Sequence, residues 1–386
     1  MHHRIRIALT ACVASVSIAA ISVADSGSAV RTEAEASIEA VLSDAIAEGE
    51  AVGMVALVAD GADVIHLSSA GRAGISAEEP LATDALFAIA SMTKPIASTA
   101  VMMLVDEGRL SLDDPVSDYI PEFGKMRLKD GSTPDNVMTV RHLLTHTSGL
   151  GGDQRTEETL EKTAQVIAQR PLLFEPGTKW NYSPGITVAG RIVEIVAEQP
   201  FENFLKDRLF VPLQMKDATF FPTQAQRDRM AELYGRNASG ELEPAEYWIW
   251  KEEPNRAANP SAGLVCSAAD LHRFYAMILN GGEWDGRRYL SEKSVALMTS
   301  LRTGEITTGF TPGCGWGLGW CVIREPQGVT RSLSVGSYGH GGALGTHGTV
   351  DPQRGRIYIL LMQRKSMPVD SADLRGEFLD AAAALR

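Results

Sequence analysis

The sequence predicts an α/β fold of the α+β kind: an antiparallel sheet drawn from both chain ends, flanked by terminal helices and interrupted by a large, mainly helical insertion. Three observations predict it. Strand-like runs stand near the start, over 51–71, and return only after about residue 265. The stretch between them carries helical spacing. Helical patterns also lie outside the strands at both ends. Strands that leave and re-enter one sheet pack most simply as antiparallel neighbours, with the terminal helices on one face. With 386 residues, 44% hydrophobic and 22% charged, the chain has the core for one large domain with an insertion, or for two domains.

In order along the chain, "MHHRIR" is a basic start and "IALTACVASVSIAAISVA" an apolar, small-residue run. Ser22-Val23-Ala24 fits a small-x-small cleavage site, so residues 1–24 read as a signal peptide and the protein as exported, periplasmic or secreted. The alternative is a retained anchor, since about 18 residues just span a bilayer. Cleavage is preferred because the run is Ala/Ser-rich and no basic stop follows. "RTEAEASIEAVLSDAIAEGE" has helical spacing and ends at a glycine. "AVGMVALVADGADVIHLSSAG" reads as two strands joined at Asp60-Gly61. "LFAIAS" is a short strand, and Ser91 to Gly108 a helix with a glycine stop.

Residues 109–264 are read as a mainly helical domain, carrying "TVRHLLTHTSGL", "ETLEKTAQVIAQR", "GITVAGRIVEIVAEQ" and "FENFLKDRLF". From 265 the strands return as "GWGLGWCVI", "SVGSYGHGG", "GTHGTVDP" and "RIYILLMQR", and "SADLRGEFLDAAAALR" closes with a helix. Residues 25–108 and 265–386 thus form an α/β domain built from both chain ends. A net charge of −12, with no long basic run, speaks against nucleic acid or an anionic membrane as partner. After removal of the leader, Cys266, Cys314 and Cys321 remain. A Cys314–Cys321 bridge is one reading, and buried free thiols are the preferred one.

"FAIASMTKPIAST" holds the only S-x-x-K of the chain, Ser91 and Lys94. On a helix these positions share a face. A serine needs a base, and an amine depressed by burial can be one. Pro95 is tolerated in a first helical turn, whose N–H groups lack partners and can stabilise a developing anion. No G-x-S-x-G or H-E-x-x-H competes. His142 and His146 stand four apart, but no third ligand follows at a telling spacing, so they read as structural and no metal is expected.

Two further stretches join S-M-T-K. "FEPGTKWNYSPGITVAGRIVE" sets Tyr182 after a Pro-Gly turn, and "SYGHGGALGTHGTVDP" sets His340-Gly341-Gly342 on a late strand. Together the three resemble the active-site motifs of the serine β-lactamase and penicillin-binding-protein superfamily, nearest to class C β-lactamases and family VIII carboxylesterases. "VRHLLTHTSGL", "PLQMKDATFF" and "SAGLVCSAADLHRF" read like the same group, and the resemblance runs from about residue 35 to the C-terminus. It implies a β-lactamase-like fold with Ser91 as acylated nucleophile, Lys94 as its proton acceptor and Tyr182 serving the leaving group. The N–H groups of Ser91 and Ala343 would form the oxyanion hole, beside a substrate-binding strand of His340, Gly341 and Gly342. No cofactor is implied.

The sequence departs from the lactamase pattern twice. Tyr-x-Asn becomes Tyr182-Ser183-Pro184, and Lys-Thr-Gly becomes His340-Gly341-Gly342. A neutral histidine holds a lactam carboxylate less well than a lysine does. Both changes resemble the esterase branch, so a carboxylesterase for short-chain or small esters is expected, with a β-lactamase or D-amino-acid peptidase as the alternative and a non-catalytic binding protein after it. The partner expected is a small ester or lactam. Tyr247, Trp248 and Trp250 in "AEYWIW" read equally as an acyl-pocket wall or as an aromatic cluster under a loop.

Overall fold

The computed structural model describes residues 26–152, 156–246, 256–309, 311–365 and 372–385. Helix α1 (Ser26–Ala47) leads into strands β1 (Gly53–Asp60) and β2 (Asp63–Gly71), then β3 (Phe87–Ala88) and α2 (Thr93–Asp106). The following block holds α3 (Val116–Tyr119), α4 (Val140–Leu144), α5 (Leu160–Ala168), α6 (Gly185–Ala197), α7 (Phe201–Leu205) and α8 (Gln224–Arg227). Two short strands close it, β4 (Tyr234–Arg236) and β5 (Leu242–Pro244). Next come β6 (Val265–Cys266), α9 (Ala268–Leu279), β7 (Glu283–Trp284), β8 (Arg287–Arg288) and α10 (Glu292–Thr299). The chain finishes with β9 (Cys314–Trp316), β10 (Cys321–Ile323), β11 (Tyr338–Gly341), β12 (His347–Asp351), β13 (Arg356–Met362) and α11 (Ala372–Ala383).

Seven strands form one antiparallel sheet in the order β2-β1-β13-β12-β11-β10-β9. The continuous apolar run of β1 is explained by its central place, buried on both faces. Met54, Ala56 and Val58 meet Ile38 and Leu42 of α1 and Phe378 and Leu379 of α11. Val55 and Leu57 face the other way, into a core shared with Ile96 of α2 and Phe274 of α9. Register is fixed from Met54↔Met362 to Asp60↔Arg356. A one-residue slip would exchange the two cores.

Four local readings change. "GWGLGWCVI" is not one strand but the β9–β10 hairpin, because Gly319 takes φ +79° in the connection and ends the alternation. Ser91 lies in a 3-10 turn, Ala90–Met92, rather than inside the helix, which starts at Thr93. The helical pattern "FENFLKDRLF" splits into α7 and a π-turn over Lys206–Phe210. The helical block also contains the β4–β5 hairpin, whose three-residue strands are too short to show a period. Cys266, Cys314 and Cys321 are free thiols. No described helix is long and apolar enough to cross a membrane, and the leader falls outside the described residues.

Candidate active site

Ser91 is presented by a turn anchored on two sides. β3 pairs with β6 through Phe87↔Cys266 and Ala88↔Val265, and the Ile89 N–H donates to Leu264 O at 3.0 Å. The chain then bends through Ala90 at φ 46°, a left-handed backbone that costs a non-glycine residue about 1 kcal/mol or more. Thr93 holds the bend: its Oγ1 donates to Ala90 O at 2.7 Å and accepts from the Leu264 N–H at 3.2 Å. Ser91 is left half-buried at the mouth of α2. Pro95 is the third residue of that helix, where its missing N–H breaks no bond.

Lys94 is fully buried, and its Nζ donates to Ser261 O at 2.8 Å and lies 3.3 Å from Ser91 Oγ. Burial holds its pKa well below the ordinary lysine value, so the neutral amine is favoured. Nζ stands 4.5 Å from the centre of the Tyr182 ring, and the Tyr182 hydroxyl hydrogen-bonds to Ser91. Burial raises the tyrosine pKa, which keeps the phenol protonated. Ser261 was not singled out in the sequence, because it acts through its backbone oxygen. Its place is set by its own N–H donating to Asn259 Oδ1 at 2.8 Å and by a 2.7 Å contact between its Oγ and Thr187 Oγ1.

Tyr182 stands against the His146 ring at 4.6 Å and Trp316 at 5.8 Å. His146 is fixed by the Ser183 N–H, which donates to its Nδ1 at 3.2 Å. His142 instead caps α4, its Nδ1 accepting from the Thr139 N–H at 3.2 Å. The two histidines therefore serve different partners. No cluster of three metal-ligating side chains occurs among the described residues.

The third motif faces Ser91 from β11. A Cβ at Gly342 would lie 2.0 Å from Thr346 Oγ1 and 2.6 Å from Ile89 O, so only glycine lets this segment reach the Ser91 turn. The Gly342 N–H is taken by Thr346 O at 2.7 Å, whereas the Ala343 N–H makes no backbone bond among the described residues. His340 is buried, with Nδ1 2.6 Å from Gly341 O. Burial and the neighbouring Lys94 push its pKa down to about 3. A cavity of about 250 Å³ joins Ser91, Tyr182, His340, Gly341, Gly342 and Ala343. Tyr247, Trp248 and Trp250 lie outside the described residues. Trp316, Arg375 and His347, which also line the cavity, carried no motif and reach it only through the fold.

His347 is likewise held at a pKa of about 3 by burial and Arg375. Both histidines stay neutral in the folded chain where the unfolded chain takes up a proton, between about 6.5 and 3. Stability is therefore expected to fall as pH drops through that window. The thermal midpoint measured from pH 7 to pH 4 checks this, and His347→Asn should flatten the slope. A flat wild-type profile would contradict the burial account.

What converges on Ser91 defines a serine hydrolase. The model of the family described as Beta-lactamase matches residues 38–383, and this chain belongs to that family. It is 32% identical to Esterase EstB of Burkholderia gladioli over 368 residues, covering 84% of this chain and 89% of that protein. It is 34% identical to Penicillin-binding protein 4 of Amycolatopsis lactamdurans, covering 79% of each. Among solved structures it resembles EstCE1, described as a hydrolase with promiscuous acyltransferase activity. The TM-score is 0.79 at 26% identity, over 92% of this chain and 100% of that one.

Proposed function

We propose that the protein is an exported carboxylesterase that cleaves short-chain or small esters through an acyl-enzyme on Ser91. The observation that carries this is the buried Lys94 amine 3.3 Å from Ser91 Oγ, its pKa held well below the ordinary lysine value, behind a cavity whose third motif offers His340, with its pKa pushed down to about 3, in place of a cation. Ser91 Oγ attacks the ester carbonyl and Lys94 takes its proton. The oxyanion forms between the N–H groups of Ser91 and Ala343. Tyr182 and Lys94 return the proton to the departing alkoxide, which leaves as the alcohol. Water then attacks the acyl carbon, yielding the acid and restoring the serine. The likeness to Esterase EstB supports this reading.

A β-lactamase or D-amino-acid peptidase on the same scaffold is the second reading, favoured by the likeness to Penicillin-binding protein 4. Export rests on the leader over residues 1–24 alone. p-Nitrophenyl butyrate assayed beside a chromogenic cephalosporin separates the two readings. Ester kcat/KM is expected to exceed lactam kcat/KM by about a hundredfold, since Pro184 and His340 leave two lactam groups ungripped. Dominant lactam turnover would overturn the esterase reading.

A further inference from the structure

We propose that Thr346 is the positioning residue of the oxyanion hole: it holds the two N–H donors, those of Ser91 and Ala343, at a fixed separation. That role rests on the acyl-enzyme reading above and is the same for an ester or a lactam carbonyl. The two donors come from different parts of the fold. Ser91 follows β3, which pairs with β6 in a two-stranded ladder, whereas Ala343 follows β11 of the seven-stranded sheet. No strand pairing joins β3 to β11. An oxyanion hole works only when both donors stand about 2.7–3.1 Å from the developing charge, so the gap between the two elements has to be set by something else.

Thr346 reaches both sides at once. Its Oγ1 donates to Ile89 O at 3.2 Å, just ahead of Ser91. Its backbone O accepts from the Gly342 N–H at 2.7 Å, just ahead of Ala343. The second bond closes a tight turn over residues 342–346, which Gly345 completes at φ 90° with its N–H donating to Gly342 O at 3.2 Å. With the Gly342 N–H engaged, the next N–H along is that of Ala343, which makes no backbone bond among the described residues. Thr346 is fully buried, so its hydroxyl has no water to turn to in place of Ile89 O.

Glycine at 342 serves the same contact. The Cβ that would lie 2.0 Å from Thr346 Oγ1 would also lie 2.6 Å from Ile89 O, so the bare Gly342 backbone packs against the bond between those two oxygens. Ile89 O has a second donor, the Met92 N–H at 3.1 Å. Loss of the threonine hydroxyl therefore leaves the 89–92 turn closed but releases it from the 342–346 turn. Ala90, held at φ 46° inside the released turn, then supplies the strain that lets it shift. A displacement of this kind misplaces the donors without emptying the cavity, so it acts on the transition state more than on the bound ester.

The test uses the purified full chain and two variants. Thr346→Val keeps the shape and removes the hydroxyl, and Thr346→Ser keeps the hydroxyl. With p-nitrophenyl butyrate, Thr346→Val is expected to lower kcat by about thirtyfold with KM within about twofold of wild type, and Thr346→Ser to recover most of the loss. Butylboronic acid reads the hole without turnover. Ser91 Oγ bonds to boron as its proton passes to Lys94, and one hydroxyl of the tetrahedral boronate anion takes the place of the oxyanion. Its affinity, measured by calorimetric titration, should fall about thirtyfold in Thr346→Val and return in Thr346→Ser. Equal losses in the two variants, or a valine variant that matches wild type, would mean that the side chain only packs, and would overturn the role. If the wild type leaves the ester intact, the esterase reading fails and the boronate decides for Thr346 alone. The thirtyfold loss with rescue by serine then supports the role. Unchanged affinity overturns it, and so does a wild type that binds no boronate, since there would be no hole to hold.

Discussion

Replacing Ser91 with alanine is expected to lower kcat by about a hundred-thousandfold and to leave the thermal midpoint within about two degrees of wild type. The size of the first effect follows from chemistry: without Oγ no acyl-enzyme forms, and Lys94 and Tyr182 have no proton to move. The smallness of the second follows from the anchors. The turn is held by Thr93, by the Ile89–Leu264 bond and by Gly342 packed against it, none of which uses the Ser91 side chain. Steady-state turnover, fluorophosphonate labelling and calorimetry on both proteins check this. Retained ester turnover in the variant would remove Ser91 from the reaction.

Lys94→Met is expected to slow ester cleavage by about a thousandfold while raising stability at neutral pH. The two signs share one cause. A buried amine with a depressed pKa releases its proton on folding, and the unfolded chain keeps it. Between the folded pKa and the ordinary value of 10.5 the unfolded state therefore binds more protons, so this group makes wild-type stability rise with pH. Methionine removes that penalty, and the difference between the two proteins should shrink toward alkaline pH. Lys94→Arg should not rescue activity, because a guanidinium stays protonated. Urea titrations at neutral and alkaline pH read the effect. A large loss of stability in Lys94→Met would mean that the amine is held charged instead.

How much of this was legible in the sequence depends on what each residue contributes. Ser91, Lys94, Tyr182 and the His340-Gly341-Gly342 run announce themselves through spacing and local context; the structure brings Ser91, Tyr182 and that run round one cavity and sets Lys94 Nζ 3.3 Å from Ser91 Oγ. The sheet was readable because β1 and β13 are nearly continuous apolar runs. Ser261 was not, since it offers a carbonyl that every residue type possesses. Arg375 was not, because its approach to Gly342 depends on where α11 lands on the sheet. The bend at Ala90 was hidden for a further reason: alanine gives no sign of a left-handed backbone, which is imposed by the contacts on either side.

The pairing of β1 with β13 bears on how the chain acquires its shape. Met54 and Met362 are register partners although nearly the whole protein lies between them. Closing so long a loop is entropically slow, and the hairpin of β1 and β2 must wait with an apolar edge uncovered until residues 356–362 exist. Assembly from one end toward the other is therefore blocked at its first step. Truncation just before β13 should yield an aggregating chain rather than a smaller folded one. A permuted chain that joins these two strands by a short linker should fold faster than the natural order of segments.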